Sequence, residues 1–313
     1  MFAKMKLVMP HSLTNAVRPA YHKYVVTRNA LLLRLYGDRE MVCRHFAEKH
    51  GRRPNMEEPR TFNEKIAWIK LHTRDPLMVQ CADKCMVREY VRNAIGDEYL
   101  IPLLGVYQHV SEIPFERLPP RFVLKATHGS GCNIICRDKA SLKVTMAKRK
   151  LERWLHLNYY YFGYEWAYRD IQPRIVCEEL LLDEREDVPR DYKVFCFNGE
   201  PRLIQVDVDR FSNHRQSIYD TSWVLQPFTH AYASRKEAQE CPQTLRLMLE
   251  CSRALAKPFA FVRVDLYTIE DRVYFGEMTF YPGGAGGHIL PEEYDQSIGD
   301  MLTLKSSLRD PAV

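Results

Sequence analysis

Short apolar segments, some continuous and some alternating with polar residues, lie along three stretches of the chain, and a turn signal interrupts each stretch. The first, FVLKATHGSGCNIICRD (122–138), has two apolar runs on either side of a loop with two glycines. The second, DYKVFCFNGEPRLIQVDVDR (191–210), turns at Asn198-Gly199, and the third, AFVRVDLYTIEDRVYFGEMTF (260–280), reverses near its centre. Strand-like apolar segments separated by short turns predict antiparallel β-hairpins.

Helical periodicity accounts for most of the remaining chain. TFNEKIAWIKLHT begins with Thr61 as a predicted N-cap, and Glu64 three residues later completes a capping box. Ile66, Trp68 and Ile69 are predicted to face inward. Further helices are predicted over the leucine-rich stretch 31–35 and over about 84–94, 142–162 and 241–259. Hairpins thus predominate over βαβ units, which predicts an α+β fold.

These patterns divide the chain into three regions. Residues 1–110 are predicted to be basic and mainly helical, residues 111–182 contain the glycine hairpin, and residues 183–313 contain the two longer hairpins. A chain of 313 residues can bury a large core, so two or more subdomains are expected.

Composition describes an ordinary globular protein, with 46% hydrophobic and 27% charged residues. The net charge of +5 allows small anionic ligands or a membrane surface as partners and requires neither. We expect no nucleic-acid partner.

The N-terminal segment bears on the predicted location. Pro10 and His11 interrupt the first apolar run, so we expect neither a signal peptide nor a membrane span. The nine cysteines are scattered, which indicates reduced thiols and a cytoplasmic protein. The basic residues of 1–60 either form a solvated helix face or contact an anionic membrane at its inner surface.

The glycine loop of the first hairpin is a candidate phosphate site. Gly129 and Gly131 allow loop amides to converge on an anion, and Lys125 adds a charge at the end of the preceding strand. An ordinary surface hairpin with a lysine that extends into solvent is the alternative.

The last hairpin is a candidate metal site. If its loop consists of residues 270–272, Ile269 pairs with Val273 and Asp265 lies directly opposite Glu277. Two carboxylates so close favour a cation such as Mg²⁺ between them. Arg263 on the same face either stabilises a transferring phosphoryl group or only neutralises the acids.

The order of these features resembles that of the ATP-grasp enzymes, and more narrowly that of the TupA-like family named for teichuronopeptide biosynthesis. TFNEKIAWIKLH, ADKCMVREYV, GDEYLIPLLGVY, RFVLKATHGSGCNIICRD and DYKVFCFNGEP are similar to that family's blocks. The resemblance covers roughly residues 50–300. It implies an ATP-grasp fold in which 111–182 is the lid subdomain, 183–313 is the core subdomain, and ATP lies between them.

The resemblance also implies the roles of individual residues. Two lysines would hold the nucleotide phosphates under the glycine loop, and the strand that ends near Leu181 would bind adenine and ribose. The implied nucleotide-binding residues are Lys84, Lys125, His128, Gly129, Ser130, Gly131, Glu178, Glu179 and Leu181; the metal ligands are Asp265 and Glu277; and the catalytic residues are Arg263 and Lys193.

Two features of the predicted site lie outside that set. Arg210 could hold an anionic acceptor, and Gly283, Gly284 and His288 in the loop after the last hairpin could bracket the carboxyl group or the amine; a surface role is the alternative. Thr279 stands where such ligases usually have an asparagine, so a second Mg²⁺ would be held weakly or completed by water.

The implied reaction is an ATP- and Mg²⁺-dependent ligation. ATP phosphorylates a carboxylate, and an amine displaces the phosphate to form an amide. The implied substrates are an amino acid or amine and a uronic-acid sugar in cell-surface polysaccharide biosynthesis. A glycosyltransferase, or a sugar kinase with Asp191 or His128 as base, is the alternative. The pair of lysines favours ATP over a sugar nucleotide.

Overall fold

Antiparallel pairing of neighbouring hairpins builds both main sheets of the protein. The computed structural model describes residues 11–184, 187–208, 215–230 and 238–304. The helices are α1 (His11–His50), α2 (Phe62–His72), α3 (Pro76–Ala82), α4 (Val87–Ala94), α5 (Val144–Leu155), α6 (Tyr160–Gly163), α7 (Leu245–Ala256) and α8 (Glu293–Asp300). The strands are β1 (Leu103–Tyr107), β2 (Phe122–Ala126), β3 (Asn133–Cys136), β4 (Ile175–Glu179), β5 (Asp191–Phe197), β6 (Glu200–Val208), β7 (Arg215–Asp220), β8 (Thr229–His230), β9 (Phe261–Ile269), β10 (Arg272–Thr279) and β11 (Ile289–Leu290).

A four-stranded sheet, here called the lid sheet, has the order β1-β4-β2-β3 with every pair antiparallel. Phe122, Leu124 and Ala126 alternate onto one face and form an apolar core with Ala147 and Leu151 of α5. Because side chains alternate along a strand, the intervening residues of β2 and β4 lie on the opposite face. This second face carries the charged residues considered below.

A five-stranded sheet, here called the core sheet, has the order β10-β9-β5-β6-β7. Val194 and Val264 are fully buried on the face that α7 covers, together with Met248 and Leu255 of that helix. On the other face, the aromatic side chain of Phe62 from α2 packs against the strand ends. Beyond these aromatic contacts the same face becomes charged.

The N-terminal helices belong to the apolar core of the core sheet. Phe46, Phe62 and Trp68 lie in one buried cluster with the strands of the core sheet, whereas the lid sheet has a separate cluster. β1 lies within residues 1–110 but pairs with β4 of the lid sheet. The three predicted region boundaries stay predictions.

Several predicted elements are confirmed in detail. The capping box of α2 is present, and Ile66, Trp68 and Ile69 are buried. The α+β class and the hairpin at Asn198-Gly199 are also confirmed, with φ values of 50° and 86° at the turn. The predicted helix start at residue 84 is wrong, because α4 begins at Val87 and Lys84 lies in the preceding turn.

Two further observations concern location and redox state. None of the helices in the described ranges is both long and apolar enough to cross a bilayer. All nine cysteines fall within those ranges, and no disulfide joins them.

The carboxylate of Glu64 connects the start of α2 to the loop before it, which gives a stability prediction. It accepts hydrogen bonds from the backbone N–H groups of Asn55, Arg60 and Thr61 and from Arg52. Burial opposes ionisation, but these donors together lower the pKa of Glu64 below its ordinary value of 4.5. Because the pKa of Glu64 is lower in the folded state than in the unfolded state, ionised Glu64 stabilises the fold. This contribution to the free energy of unfolding is complete above pH 4.5 and is lost as the pH falls below it.

We therefore expect Glu64→Gln to lower the free energy of unfolding at pH 7 by about 2 kcal/mol, because the amide replaces a charged acceptor. Urea titrations at pH 7 and at pH 4 should show the difference between wild type and variant shrinking at the lower pH. Glu58→Gln, an exposed change in the same loop, is the control. An equal effect of both substitutions at pH 7 would contradict the role given to Glu64.

Candidate active site

A row of charged side chains crosses the core sheet from one strand to the next. Lys193 on β5 lies opposite Asp265 on β9, and Asp265 lies opposite Glu277 on β10. Directly opposed residues project from the same face of a sheet. The register therefore places a cation and two acids side by side, and Arg263, two residues before Asp265, joins the same face.

A β-bulge at Gly276 sets this register. The hairpin loop has two residues, so Ile269 pairs with Arg272, and the predicted three-residue loop with Ile269 opposite Val273 is wrong. The bulge between Phe275 and Glu277 shifts the pairing by one residue and brings Glu277 opposite Asp265. The predicted juxtaposition of the two acids is confirmed, although its cause is the bulge.

Each buried charge in the row has a partner of opposite sign. Arg263 donates two hydrogen bonds to Asp265, at 2.6 and 2.7 Å. Lys193 forms ion pairs with Asp191 and with Asp207, the latter at 3.0 Å, and lies 3.9 Å from Asp265. Burial opposes protonation of Lys193, but these three carboxylates raise its pKa, so the ammonium form is maintained.

Lys84 connects the charged row to the glycine loop. Its ammonium donates to the carbonyl oxygen of Gly129 at 2.9 Å and lies 3.4 Å from Oε2 of Glu277. Burial alone would raise the pKa of Glu277, but Lys84, Arg263 and Lys193 lower it to about 2. Glu277 is therefore a carboxylate at neutral pH, with 32% of its side chain exposed.

A second charged group lies on the face of the lid sheet opposite α5. Lys125 at the end of β2 contacts Oε2 of Glu178 at 2.6 Å, and Arg88 of α4 contacts Oε1 of the same carboxylate at 3.0 Å. A narrow cleft between the two sheets is lined by Lys84, Arg88, Lys125, Glu178, Phe275 and Gly276. The two lysines predicted for phosphate binding thus line one cleft, and Glu277, predicted for metal binding, adjoins it through its contact with Lys84.

The glycine loop joins β2 to β3 beside this cleft. Ser130 and Gly131 are exposed, whereas His128 is buried. The imidazole of His128 donates from Nε2 to the carbonyl oxygen of Trp154 at 2.8 Å, so it points to α5. Burial lowers the pKa of His128, which favours the neutral ring.

The predicted adenine strand has one buried and one exposed acid. Glu178 is held by Lys125 and Arg88, Glu179 is exposed at the end of β4, and Leu181 is half-buried two residues later. The structure brings Glu178 to the cleft through its ion pairs.

The glycine-rich loop after β10 is held by a buried lysine. Lys70 of α2 donates to the carbonyl oxygens of Gly163 and Gly284, at 2.7 and 2.6 Å. Gly283 and Gly284 have φ values of 60° and 64°, which favour glycine. Burial lowers the pKa of Lys70 to about 8, and Glu165 nearby acts in the opposite direction.

Of the two remaining predicted substrate residues, the structure describes only His288. His288 is exposed, and its ring lies 5.2 Å from that of His50. Arg210 lies outside the described residues.

Several charged and polar side chains at the site were not predicted from the sequence: Arg88, Gln205, Asp207 and His230. Gln205 donates to Asp207 at 2.8 Å, and both are buried on the charged face. His230 is buried near Gly283 and Gly287, and burial lowers its pKa to about 4. The alternation of apolar and polar residues in LIQVDV indicates that Gln205 and Asp207 lie on one face of a strand. It does not indicate whether that polar face is solvated or buried.

The acid pair fits a Mg²⁺ ion that shares its coordination with a nucleotide. Within the described ranges no three His, Cys, Asp or Glu side chains are arranged to hold a metal by themselves. Mg²⁺ commonly uses one or two carboxylates and takes its other ligands from phosphates and water. Glu277 is accessible for this, and Asp265 is adjacent, so the donor type and number fit. Thr279 is hydrogen-bonded to Arg263 at 3.2 Å.

The chain matches the family described as TupA-like ATPgrasp over residues 64–303. It belongs to that family. The match confirms the predicted family, the ATP-grasp fold with its two subdomains and helical N-terminal region, and the assignment to the ATP-grasp enzymes. No curated protein matches the chain.

Solved structures give a weaker likeness. D-alanine–D-alanine ligase from Bacillus anthracis in complex with ATP aligns at 15% identity and a TM-score of 0.41, covering 71% of this chain and 63% of that one. The corresponding ligase from Helicobacter pylori aligns at 11% identity and a TM-score of 0.42, covering 80% and 68%. Phosphoribosylamine–glycine ligase from Thermotoga maritima aligns at 8% identity and a TM-score of 0.40, covering 66% and 50%. The family match, which spans most of this chain, carries the assignment.

The bulge gives a prediction for Gly276→Ala. A Cβ atom at this position would lie 3.0 Å from the backbone oxygen of Asp265 and 2.9 Å from the Tyr267 ring. We expect a loss of about 1–3 kcal/mol in the free energy of unfolding, because the backbone contact cannot yield as a side chain would. Activity should fall further than stability explains, since Glu277 moves relative to Asp265.

Thermal unfolding and nucleotide turnover of the same preparation would measure both effects. A stable Gly276→Ala protein with wild-type turnover would show that the site does not depend on the bulge.

Proposed function

We propose that the protein is an ATP- and Mg²⁺-dependent carboxylate–amine ligase. The observation that supports this most is that Lys84 and Lys125 line one cleft between the lid sheet and the core sheet, while Lys84 also lies 3.4 Å from Glu277, which is directly opposite Asp265. In a member of an ATP-grasp family, this arrangement favours a nucleotide whose phosphates lie between the two lysines. ATP would donate a phosphoryl group to a carboxylate, and an amine would then displace phosphate.

The chain's residues would act mainly through charge and position. Lys84 and Lys125 are 18% and 17% exposed, so their ammonium groups are oriented by protein acids and still open to a ligand. Arg263 and Lys193 would stabilise negative charge that develops on the transferring group, as buried and fixed cations do. Bound Mg²⁺ would neutralise phosphate charge beside Glu277 and Asp265.

The glycine loops would enclose the reactants. Ser130 and Gly131 would cover the phosphates, and the loop with Gly283 and Gly284, fixed by Lys70, would border the acceptor. Covering the site would exclude water from a reactive acyl phosphate. His288 and Arg210 stay predicted substrate contacts.

The proposed substrates are a uronic-acid sugar and an amino acid or amine, used in cell-surface polysaccharide biosynthesis. The resemblance to the TupA-like family supports this choice. The kinase alternative would need a base at the acceptor, but the imidazole of His128 points to α5 and Asp191 is paired with Lys193. The product analysis described next distinguishes a kinase from a ligase.

The test is product analysis with Mg-ATP and a matrix of uronic acids and amino acids. A ligase should release ADP and phosphate only when the carboxylate and the amine are both present, and should form an amide. ADP with a phosphorylated sugar would establish a kinase instead. Consumption of a sugar nucleotide without ATP turnover would establish a glycosyltransferase.

Two substitutions test the site itself. We expect Lys125→Ala and Glu277→Gln to lower kcat/KM by at least about a hundred-fold while the fold remains intact, because each removes a charge at the reacting centre. Exposed Lys143→Ala and Glu270→Gln, the latter in the loop of the same hairpin, are matched controls. Wild-type turnover in either site variant would remove the assignment.

We also propose a peripheral membrane contact through α1, which supports the predicted location at the inner membrane face. Tyr24, Leu31 and Leu35 are 57%, 58% and 66% exposed and lie on one side of the helix, with Arg28 between them. An exposed apolar stripe with basic residues is typical of helices that lie on an anionic bilayer.

Arg28→Glu with Arg34→Glu should reduce flotation with phosphatidylserine vesicles, since each basic residue near such a surface contributes roughly 1 kcal/mol. Turnover should not change. Arg202→Glu with Lys257→Glu, the same charge change on the core subdomain, is the control. Equal flotation of both double variants and wild type would contradict the proposal.

A further inference from the structure

A groove of about 1250 Å³ lies outside the candidate active site, between α1 and α5. Its volume exceeds the roughly 300–1000 Å³ that is usual for small-molecule pockets. Its walls are two helices, and α5 alone is about 18 Å long at 1.5 Å per residue. The shape therefore fits an extended ligand better than a compact one.

The groove is strongly basic. Its lining includes five lysines and arginines and a single acid, Glu152. Arg149 and Arg153 are exposed on one face of α5, four residues apart, and Lys23 on α1 is exposed on the other wall. No described carboxylate lies within ion-pairing distance of Lys23, Arg149 or Arg153. Ion pairs between neighbouring side chains, the usual explanation of a charged helix face, therefore do not account for these three cations.

The groove adjoins the glycine hairpin of the candidate active site. Gly131 and Asn133 of the glycine loop line the groove, and Asn133 pairs across the hairpin with Lys125. Trp154 in the wall of the groove accepts the hydrogen bond from His128 of the same loop. A chain lying in the groove would therefore pass beside the loop that borders the nucleotide cleft.

From these observations we infer that the groove binds the acceptor as a linear, carboxylate-bearing glycan, with the cations of α5 and α1 contacting carboxylates spaced along the polymer. The partly buried Trp154 ring supplies an apolar surface for a sugar face. The choice of a glycan over another polyanion rests on the proposed function, because an activated carboxylate must reach the cleft. A single tryptophan, without a series of stacking rings, does not favour single-stranded nucleic acid.

Binding of a fluorescein-labelled oligogalacturonate to the full chain, measured by anisotropy without ATP at two salt concentrations, tests this inference. Arg149→Glu with Arg153→Glu should weaken binding by at least about tenfold at low salt, because two contacts become repulsive. Arg202→Glu with Lys257→Glu carries the same charge change on the core subdomain and should have little effect. Thermal unfolding verifies that each variant is folded. If the charge-reversal variant of α5 does not fold, Arg149→Gln with Arg153→Gln replaces it.

Three outcomes would overturn the inference: equal weakening by both double variants, no tighter binding of oligogalacturonate than of labelled dextran, or equal binding of a single-stranded oligonucleotide of the same charge. Amide formation is measured separately on wild type. If the polymer binds in the groove but wild type forms no amide, the groove is a glycan-binding site and the proposed ligase function is wrong. If wild type forms the amide but polymer binding does not depend on the groove residues, the inference about the groove is wrong and the ligase function stands.

Discussion

The register of the core sheet is the constraint on which the candidate site depends. Lys193, Asp265 and Glu277 form one row only because β10 carries an extra residue, Gly276, before Glu277. A shift of one residue would turn Glu277 to the face that carries Val264 and Met278, where a carboxylate has no cation. Because a buried charge without a partner costs several kcal/mol, the pairing of charges and the pairing of strands reinforce each other.

The same pairing prepares the site for an anionic ligand. Each cation at the cleft already contacts an acid: Lys125 contacts Glu178, and Lys84 contacts Glu277. The acids orient the ammonium groups, so little reorganisation would be needed for the proposed binding of phosphates. Lys84 also donates a hydrogen bond to the carbonyl oxygen of Gly129. One side chain therefore contacts both the glycine loop and Glu277.

The sequence predicted what depends on local signals. Strand alternation and the Asn198-Gly199 turn gave the hairpins, and the capping box gave the start of α2. The opposition of Asp265 and Glu277 was predicted with an incorrect loop, because a loop of three residues without a bulge gives the same opposition as a loop of two residues with a bulge at Gly276. Asp207 and Arg88 were missed because their partners lie on other elements, and only the sheet topology brings them together. Family resemblance supplied roles that spacing alone could not, but it could not show that the His128 imidazole points to Trp154.

The contacts that cross the cleft explain how such a site could open. The lid sheet and the core sheet have separate apolar clusters, and the contacts from the α3–α4 turn and from α4 to the lid sheet are polar. Lys84 bonds through its backbone to Thr127 at 3.2 Å, Asp83 pairs with Arg174 at 2.7 Å, and Arg88 pairs with Glu178 at 3.0 Å. Water can replace polar partners at low net cost, whereas exposing apolar surface costs about 25 cal/mol per Å². Separation of the lid sheet and α5 from the core sheet along this boundary therefore leaves both apolar clusters intact, and the charged groups that a nucleotide would contact are the ones that opening exposes.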